Sequence, residues 1–172
     1  EMLAEHDPRI PMVVDPVVVE PEERKISSDT HLEAIQNHLF PLATVITPNL
    51  EEAQVLAGMK IGNMQEMETA ARTLLDRGPY AVFLKGGRFD GPEITDILMS
   101  RDGIEYYTHQ AFEGRFHGTG CALSSAVAAG LALGKTLPEA VQDAVAYVQD
   151  CLENSLAPIK GRLGLLGHKP RQ

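Results

Sequence analysis

The sequence predicts an α/β fold, a mostly parallel central sheet with helices on both faces. Three observations lead there. Apolar runs rich in β-branched residues, PMVVDPVVV (11–19), ATVIT (43–47) and YAVFLKGG (80–87), have the continuous character of strands buried on both sides of a parallel sheet. Segments with helical start and stop signals separate these runs. The resulting order is strand, helix, strand, helix, helix, strand, hairpin, helix, helix, which is the order of an α/β domain.

The elements follow from local signals. EMLAEHDPRI (1–10) does not open on Met and reads as the tail of a helix already under way. The strand at 11–19 runs into a polar loop, EPEERKISSD (20–29). HLEAIQNHLF (31–40) has helical character, and Pro41, with no N–H to donate, ends it. The strand at 43–47 closes at Pro48, after which Asn49 caps LEEAQVLAG and Gly58 stops it. Asn63 with Glu66 forms a capping-box start to MQEMETAARTLLDRG (64–78). ITDILMS (94–100) and IEYYTH (104–109) flank Arg101-Asp102-Gly103, a hairpin signal. Two helices close the pattern: 119–133, stopped by Gly134, and 137–153, opened by Thr136 with Glu139 and carrying Pro138 in its first turn. GRLGLLGH (161–168) leaves the helical pattern and suggests no role.

With 172 residues, 44% of them hydrophobic, the chain is the size of one domain and can bury a core. Its formal charge of −9 leaves no basic stripe, which argues against nucleic acid or an anionic membrane as partner. Single phosphate groups stay possible, since a few backbone N–H groups can hold them. Cys121 and Cys151 make no CxxC and no metal spacing, as expected of a chain kept in a reducing, cytoplasmic setting. No apolar run approaches the roughly 18 residues of a membrane-spanning helix.

Several residues could carry chemistry. In HGTGC (117–121) two glycines precede a helix start, where unpaired N–H groups and the helix dipole favour an anion such as phosphate. Cys121 falls in the first helical turn, where a thiolate is favoured. The plain alternative is a Gly-containing turn into a tightly packed helix. Asn49 and Glu52, three apart, lie on one side of a helical turn and offer hard oxygen ligands suited to Mg²⁺; the plain alternative is capping. Asp15 interrupts an apolar strand, which costs energy unless the acid is paired or serves a site. Lys85, ahead of Gly86 and Gly87, can reach a phosphate or form a salt bridge. His117 reads as a packing or capping residue. GKT (134–136) fails as a phosphate-binding loop because it follows a helix and Gly130 is one residue too close. A metal pair, a lysine and an anion hole gathered at strand ends are the parts that phosphoryl transfer needs.

VVDPVVV, LFPLATVITPNLEEAQVLAG, AVFLKGGRFDG, HGTGCALSSAVAAGLALG and LPEAVQDAVAYV, in this order, resemble the C-terminal two-thirds of the hydroxymethylpyrimidine and phosphomethylpyrimidine kinases of thiamine biosynthesis, in the ribokinase superfamily. The resemblance implies a single ribokinase-like domain over 1–172 that lacks its N-terminal third, with ATP as co-substrate, Mg²⁺ as cofactor, a small-molecule substrate and a homodimeric state. It further implies Cys121 as catalytic base and Gly118, Thr119 and Gly120 as the anion hole. Asp15, Asn49 and Glu52 would serve the metal, Lys85, Gly86 and Gly87 the ATP phosphates, and Val17 the pyrimidine pocket. The chain departs from the pattern in EPEERK after DPVVV, where the family has a small, Gly-containing loop, and in Gly114-Arg115-Phe116, where it has Asn-Thr or Asp-Thr.

Within the superfamily the rival reading is a pyridoxal kinase. From other classes come a thiol enzyme with Cys121 as nucleophile, for which no partner acid is evident, and a non-catalytic ligand-binding remnant. The strand at 11–19 has the pattern of an interior strand and would otherwise expose an edge. The reading therefore expects a longer native protein, by roughly 80 to 100 residues, the whole still within the size of one domain. Residues 1–172 expressed alone should be aggregation-prone and inactive. Expressing both lengths checks this; a soluble, active short form would refute it.

Overall fold

The computed structural model describes residues 10–18, 28–89, 91–112, 116–155 and 164–168. The expected helix tail at 1–10, apart from Ile10, and most of the expected loop at 20–29 lie outside these residues. Two compact units make up the chain, Glu1–His109 and Gln110–Gln172.

The first unit is built on five strands in the order β1 (Val13–Val14), β2 (Val45–Ile46), β3 (Ala81–Gly87), β4 (Glu93–Ser100) and β5 (Ile104–Gln110). β1 pairs parallel with β2, and β2 parallel with β3, while β4 runs antiparallel to β3. The turn before β5 closes through a bond from Ser100 N–H to Gly103 O at 2.9 Å, as the hairpin signal predicts.

β1 is far shorter than the run 11–19 suggests. Its pairing extends back to Met12, whose carbonyl accepts from Thr44 N–H at 2.8 Å. It ends at Asp15: Pro16 has no N–H to give, and Val17 N–H turns back to Asp15 O at 3.0 Å. The apolar run thus holds a strand and a turn.

The helix expected at 31–40 changes its winding twice, first widening and then tightening. α1 (Asp29–Ala34), capped by Ser28, gives way to a π turn at Ile35–Leu39 and a 3₁₀ turn at Phe40–Leu42. Phe40 N–H reaches back five residues to Ile35 O, and Ala43 N–H only three, to Phe40 O. Pro41 cannot donate and its ring crowds the preceding turn, so the α pattern cannot continue through it.

α2 (Leu50–Ala57) and α3 (Met64–Leu75) match their signals more closely. Met67, Ala70, Ala71, Leu74 and Leu75, at helical spacing, bury the face of α3 that packs on β3 and β4. They share a core with Ile46, Val82, Leu84, Ile97 and Met99. Val45, Ala81 and Phe83 alternate to the other side of the sheet and are fully buried too, with Tyr107 edge-on to Phe83 at a ring separation of 5.8 Å. The α3 capping box is only half made. Asn63 Oδ1 accepts from Glu66 N–H, but the Glu66 carboxylate accepts from Gly62 N–H at 2.7 Å instead of from Asn63.

The second unit pairs α4 (Thr119–Ala132) with α5 (Leu137–Glu153). The Thr136–Glu139 box that opens α5 is complete, and Pro138 sits in its first turn. In chain order the helices fall between two short strands, β6 (Phe116–His117) and β7 (Gly164–Leu165), which pair in parallel. β7 gives Gly164 and Leu165, within the GRLGLLGH stretch that suggested no role, a structural one: they pair with Phe116 and His117. No helix among the described residues is long and apolar enough to cross a membrane.

The small-residue character of α4 has a packing cause. A Cβ on Gly130 would lie 2.8 Å from Ala140 Cβ and 3.1 Å from Ala140 Cα, so the two helices touch backbone to backbone here. Gly130→Val should lower the unfolding free energy by about 1–3 kcal/mol, the usual cost of overpacking. Denaturant midpoints of variant and parent check it; equal midpoints would mean that α5 can move aside freely.

Candidate active site

The parallel register gathers the candidate residues of the first unit. Val14 faces Ile46 and Ile46 faces Val82, so β1 and β2 end level with one another, while β3 runs on to Gly87. Beyond them Thr47 N–H donates to Val14 O at 3.0 Å and Lys85 N–H to Pro48 O at 2.9 Å, while Asn49 forms an isolated bridge with Lys85. Asp15, Thr47, Asn49 and Lys85 therefore share the carboxyl edge of the sheet, where α/β proteins bind ligands.

Their side chains meet. Thr47 Oγ1 donates to Asp15 Oδ1 at 3.1 Å, and Lys85 Nζ stands 3.5 Å from the same oxygen. Thr47 is fully buried, and the side chains of Lys85 and Asp15 are 12% and 19% exposed. The salt bridge foreseen as the plain reading of Lys85 is thus formed. Its shielding from water makes it stronger than a surface pair. Thr47 was missed in the sequence, where the following Pro48 marks it only as a strand end.

Asn49 and Glu52 also fulfil their plain reading. Asn49 Oδ1 accepts from Glu52 N–H at 2.8 Å and Glu52 Oε2 accepts from Asn49 N–H at 2.9 Å, a complete capping box at the start of α2. Yet Glu52 is only 4% exposed, whereas a capping carboxylate needs no burial. That burial pushes its carboxyl above the usual range; the bond from Asn49 N–H and the Lys85 charge pull it down, and Asp15 and Glu51 push it up. An ionised Glu52 is a cost that a nearby cation would relieve. Among the described residues no three His, Cys, Asp or Glu side chains form a metal cage. Two carboxylates and an amide do suit Mg²⁺, which keeps most of its waters and shares its shell with phosphate oxygens.

Gly86 adopts φ 93°, in the left-handed region. Its N–H donates to Asp96 Oδ1 at 2.7 Å, so this amide is not available to a phosphate in the arrangement seen. At Gly87 a Cβ would lie 2.6 Å from both Met67 Sδ and Thr95 O, so packing against α3 and β4 already demands glycine there. Asp96, which holds Gly86, was overlooked in the sequence. It interrupts the apolar run ITDILMS as Asp15 interrupts VVDPVVV, and the same signal would have found it. Val17 is half exposed just past the Asp15 turn.

The second unit carries a separate set of candidate residues. Gly118 is the N-cap of α4 at φ 87°, a conformation that favours glycine, and its carbonyl accepts from Ala122 N–H at 2.9 Å. Thr119, Gly120 and Cys121 form the first turn, where N–H groups lack intrahelical partners. Cys121 is exposed, whereas Cys151 is buried. A groove of about 640 Å³ starts at Gly118 and Cys121 and runs along α4 to Leu133, with Asp143 and Tyr147 of α5 and His168 on its wall.

The comparisons with known proteins place this arrangement. The structure aligns with the pyridoxal kinase from Staphylococcus aureus in complex with pyridoxal at a TM-score of 0.82 and 34% identity, covering 92% of this chain and 57% of that one. It aligns with a phosphomethylpyrimidine kinase from Clostridium difficile at a TM-score of 0.68 and 34% identity, covering 81% of this chain and 56% of that one. The fold is ribokinase-like. Residues 1–165 match the phosphomethylpyrimidine kinase family, and the chain belongs to it. The hydroxymethylpyrimidine/phosphomethylpyrimidine kinase of Synechococcus elongatus is 40% identical over 162 residues, which cover 92% of this chain and 61% of that protein. The chain thus spans about three-fifths of the length of the curated relatives it matches.

The raised Glu52 carboxyl gives a signed expectation. A carboxyl held high in the fold favours folding below its unfolded pKa, and that contribution is lost as pH rises through the folded value. Glu52→Gln has nothing to lose. In metal-free buffer its melting temperature should therefore gain on the parent's as pH rises from about 4, the ordinary glutamate range. A difference that does not change with pH would show that Glu52 is an ordinary cap.

Proposed function

We propose that the protein carrying this chain transfers the γ-phosphoryl group of ATP to 4-amino-5-hydroxymethyl-2-methylpyrimidine, its monophosphate, or both. The observation that carries the reading is the buried Glu52 beside Asp15 and Lys85 at the carboxyl edge of the sheet. A carboxylate that costs stability there is explained by a cationic cofactor. Membership of the family supports the substrate class, and the curated relatives bear that name.

Asp15, Asn49 and Glu52 would hold Mg²⁺ through its waters; when bound, the ion neutralises charge on the nucleotide phosphates. Lys85 meets the ATP phosphates, exchanging part of its pairing with Asp15 for them. Cys121 accepts the proton of the substrate hydroxyl, or of the phosphate where the monophosphate is the substrate, as that group's oxygen attacks the γ-phosphorus. The bond from that phosphorus to the β–γ bridging oxygen breaks and ADP leaves. N–H groups at Gly118, Thr119 and Gly120 stabilise the charge on the phosphoryl oxygens during transfer. Val17 lines the pyrimidine site.

A second reading has its own support. The aligned pyridoxal kinase from Staphylococcus aureus has been solved with pyridoxal and with AMP-PCP, and pyridoxal would be the substrate on that reading.

The test uses protein expressed from its full reading frame, assayed with ATP and Mg²⁺ on hydroxymethylpyrimidine and on pyridoxal. Faster turnover of the pyrimidine supports the main reading, faster turnover of pyridoxal the second, and none the remnant. In the active case Cys121→Ala should lower kcat roughly 10²–10⁴-fold, the usual contribution of a general base, with little change in ATP affinity. A phosphorylated or acylated Cys121 trapped during turnover would instead make the thiol a nucleophile.

A further inference from the structure

The β3–β4 ladder breaks beside Lys85. Leu84 faces Ile97 and Gly87 faces Thr95, so Lys85 and Gly86 of β3 stand against Asp96 alone on β4. This two-against-one arrangement is a β-bulge, which interrupts the ladder and re-aims side chains. The Gly86 N–H at the bulge donates to Asp96 Oδ1 at 2.7 Å. The other oxygen, Asp96 Oδ2, accepts from His109 Nε2–H on β5 at 3.0 Å. Asp96 is only 3% exposed, and both of its oxygens are engaged, which is the condition under which a buried carboxylate is tolerated. Lys85, re-aimed by the bulge, reaches along the carboxyl edge past β2 to Asp15.

We infer that Asp96, steadied by His109, is a positioning residue: it closes the bulge that points Lys85 at the nucleotide phosphates. The inference rests on the reading of Lys85 as a phosphate-binding residue. A carboxylate suits the task because it accepts from the Gly86 amide and the His109 imidazole together. An amide in its place has one acceptor oxygen and turns its NH₂ toward the imidazole.

The experiment titrates ADP into protein expressed from its full reading frame, without substrate, so the readout is affinity and not turnover. Lys85→Ala and Asp96→Ala should each weaken ADP about tenfold, the loss of one charge-assisted contact. Asp96→Asn, which keeps an acceptor for Gly86 N–H, should recover most of that loss. In the Lys85→Ala background Asp96→Ala should cost nothing more, because its effect passes through the lysine. A general loss of structure would weaken binding in both backgrounds and would overturn the inference. Lys85→Ala with parental affinity would remove the phosphate reading and the inference with it. Lys85→Ala weakened but Asp96→Ala unchanged would remove the positioning role alone. If Asp96→Ala does not fold, His109→Ala carries the same test. It should weaken ADP about threefold, and only while Lys85 is present; a loss that persists without Lys85 overturns the inference.

Discussion

The first unit depends on β2, which is paired on both sides in one parallel register. Two residues, Val45 and Ile46, make the ladder contacts to β1 and to β3. Because both pairings are parallel, all three strands present their carboxyl ends on the same edge. The polar cluster at that edge follows from that alignment. Asp15 leaves β1 there, Thr47 and Asn49 leave β2, and Lys85 arrives on β3. A slip of one residue would turn each side chain to the other face and disperse the cluster.

The apolar core makes such a slip costly. Ile46, Val82 and Leu84 on one face, and Val45, Ala81 and Phe83 on the other, are fully buried. Neither face would tolerate the exchange of its side chains for those of the other. Packing thus holds the register, and the register holds the charges. Burial also sets the electrostatic conditions. Glu52 and Asp96 are both nearly inaccessible, but their surroundings differ. Asp96 has both oxygens occupied by protein donors. Glu52 has one oxygen in its capping box, and burial remains the largest influence on its carboxyl. The first arrangement is structurally complete, and in the second burial holds the carboxyl above its ordinary range.

The plain structural roles seen here are compatible with the proposed functional ones. Asn49 and Glu52 cap α2, and the same cap fixes the direction in which their remaining polar atoms can act. Lys85 pairs with Asp15, and that pairing holds an ammonium at the sheet edge. Gly118 caps α4 in a left-handed conformation, and this leaves the first-turn N–H groups unobstructed by a side chain. The bland and the functional readings of these residues describe one geometry.

The sequence by itself determined what depends on neighbours along the chain. Asn49, Gly58, Thr136 with Glu139, and Gly134 mark helix ends because capping involves residues three or four apart. The strand–helix order follows from the period of the apolar residues, and from it the sheet edge at which Asp15, Asn49 and Lys85 meet. The family, too, was legible in its motifs. Tertiary structure alone decided what depends on residues distant in sequence. The β1 run stops at Asp15 because Pro16 has no N–H to continue a ladder whose partner lies some thirty residues on. Thr47 bonds to Asp15 across 32 residues and Asp96 to His109 across 13, and no local pattern encodes either. The half-made cap at Asn63 depended on a competing donor, Gly62, winning the Glu66 carboxylate. The tail at 164–165 found its role only by pairing with 116–117, because a two-residue strand has too short a pattern to be recognised and exists only through its partner.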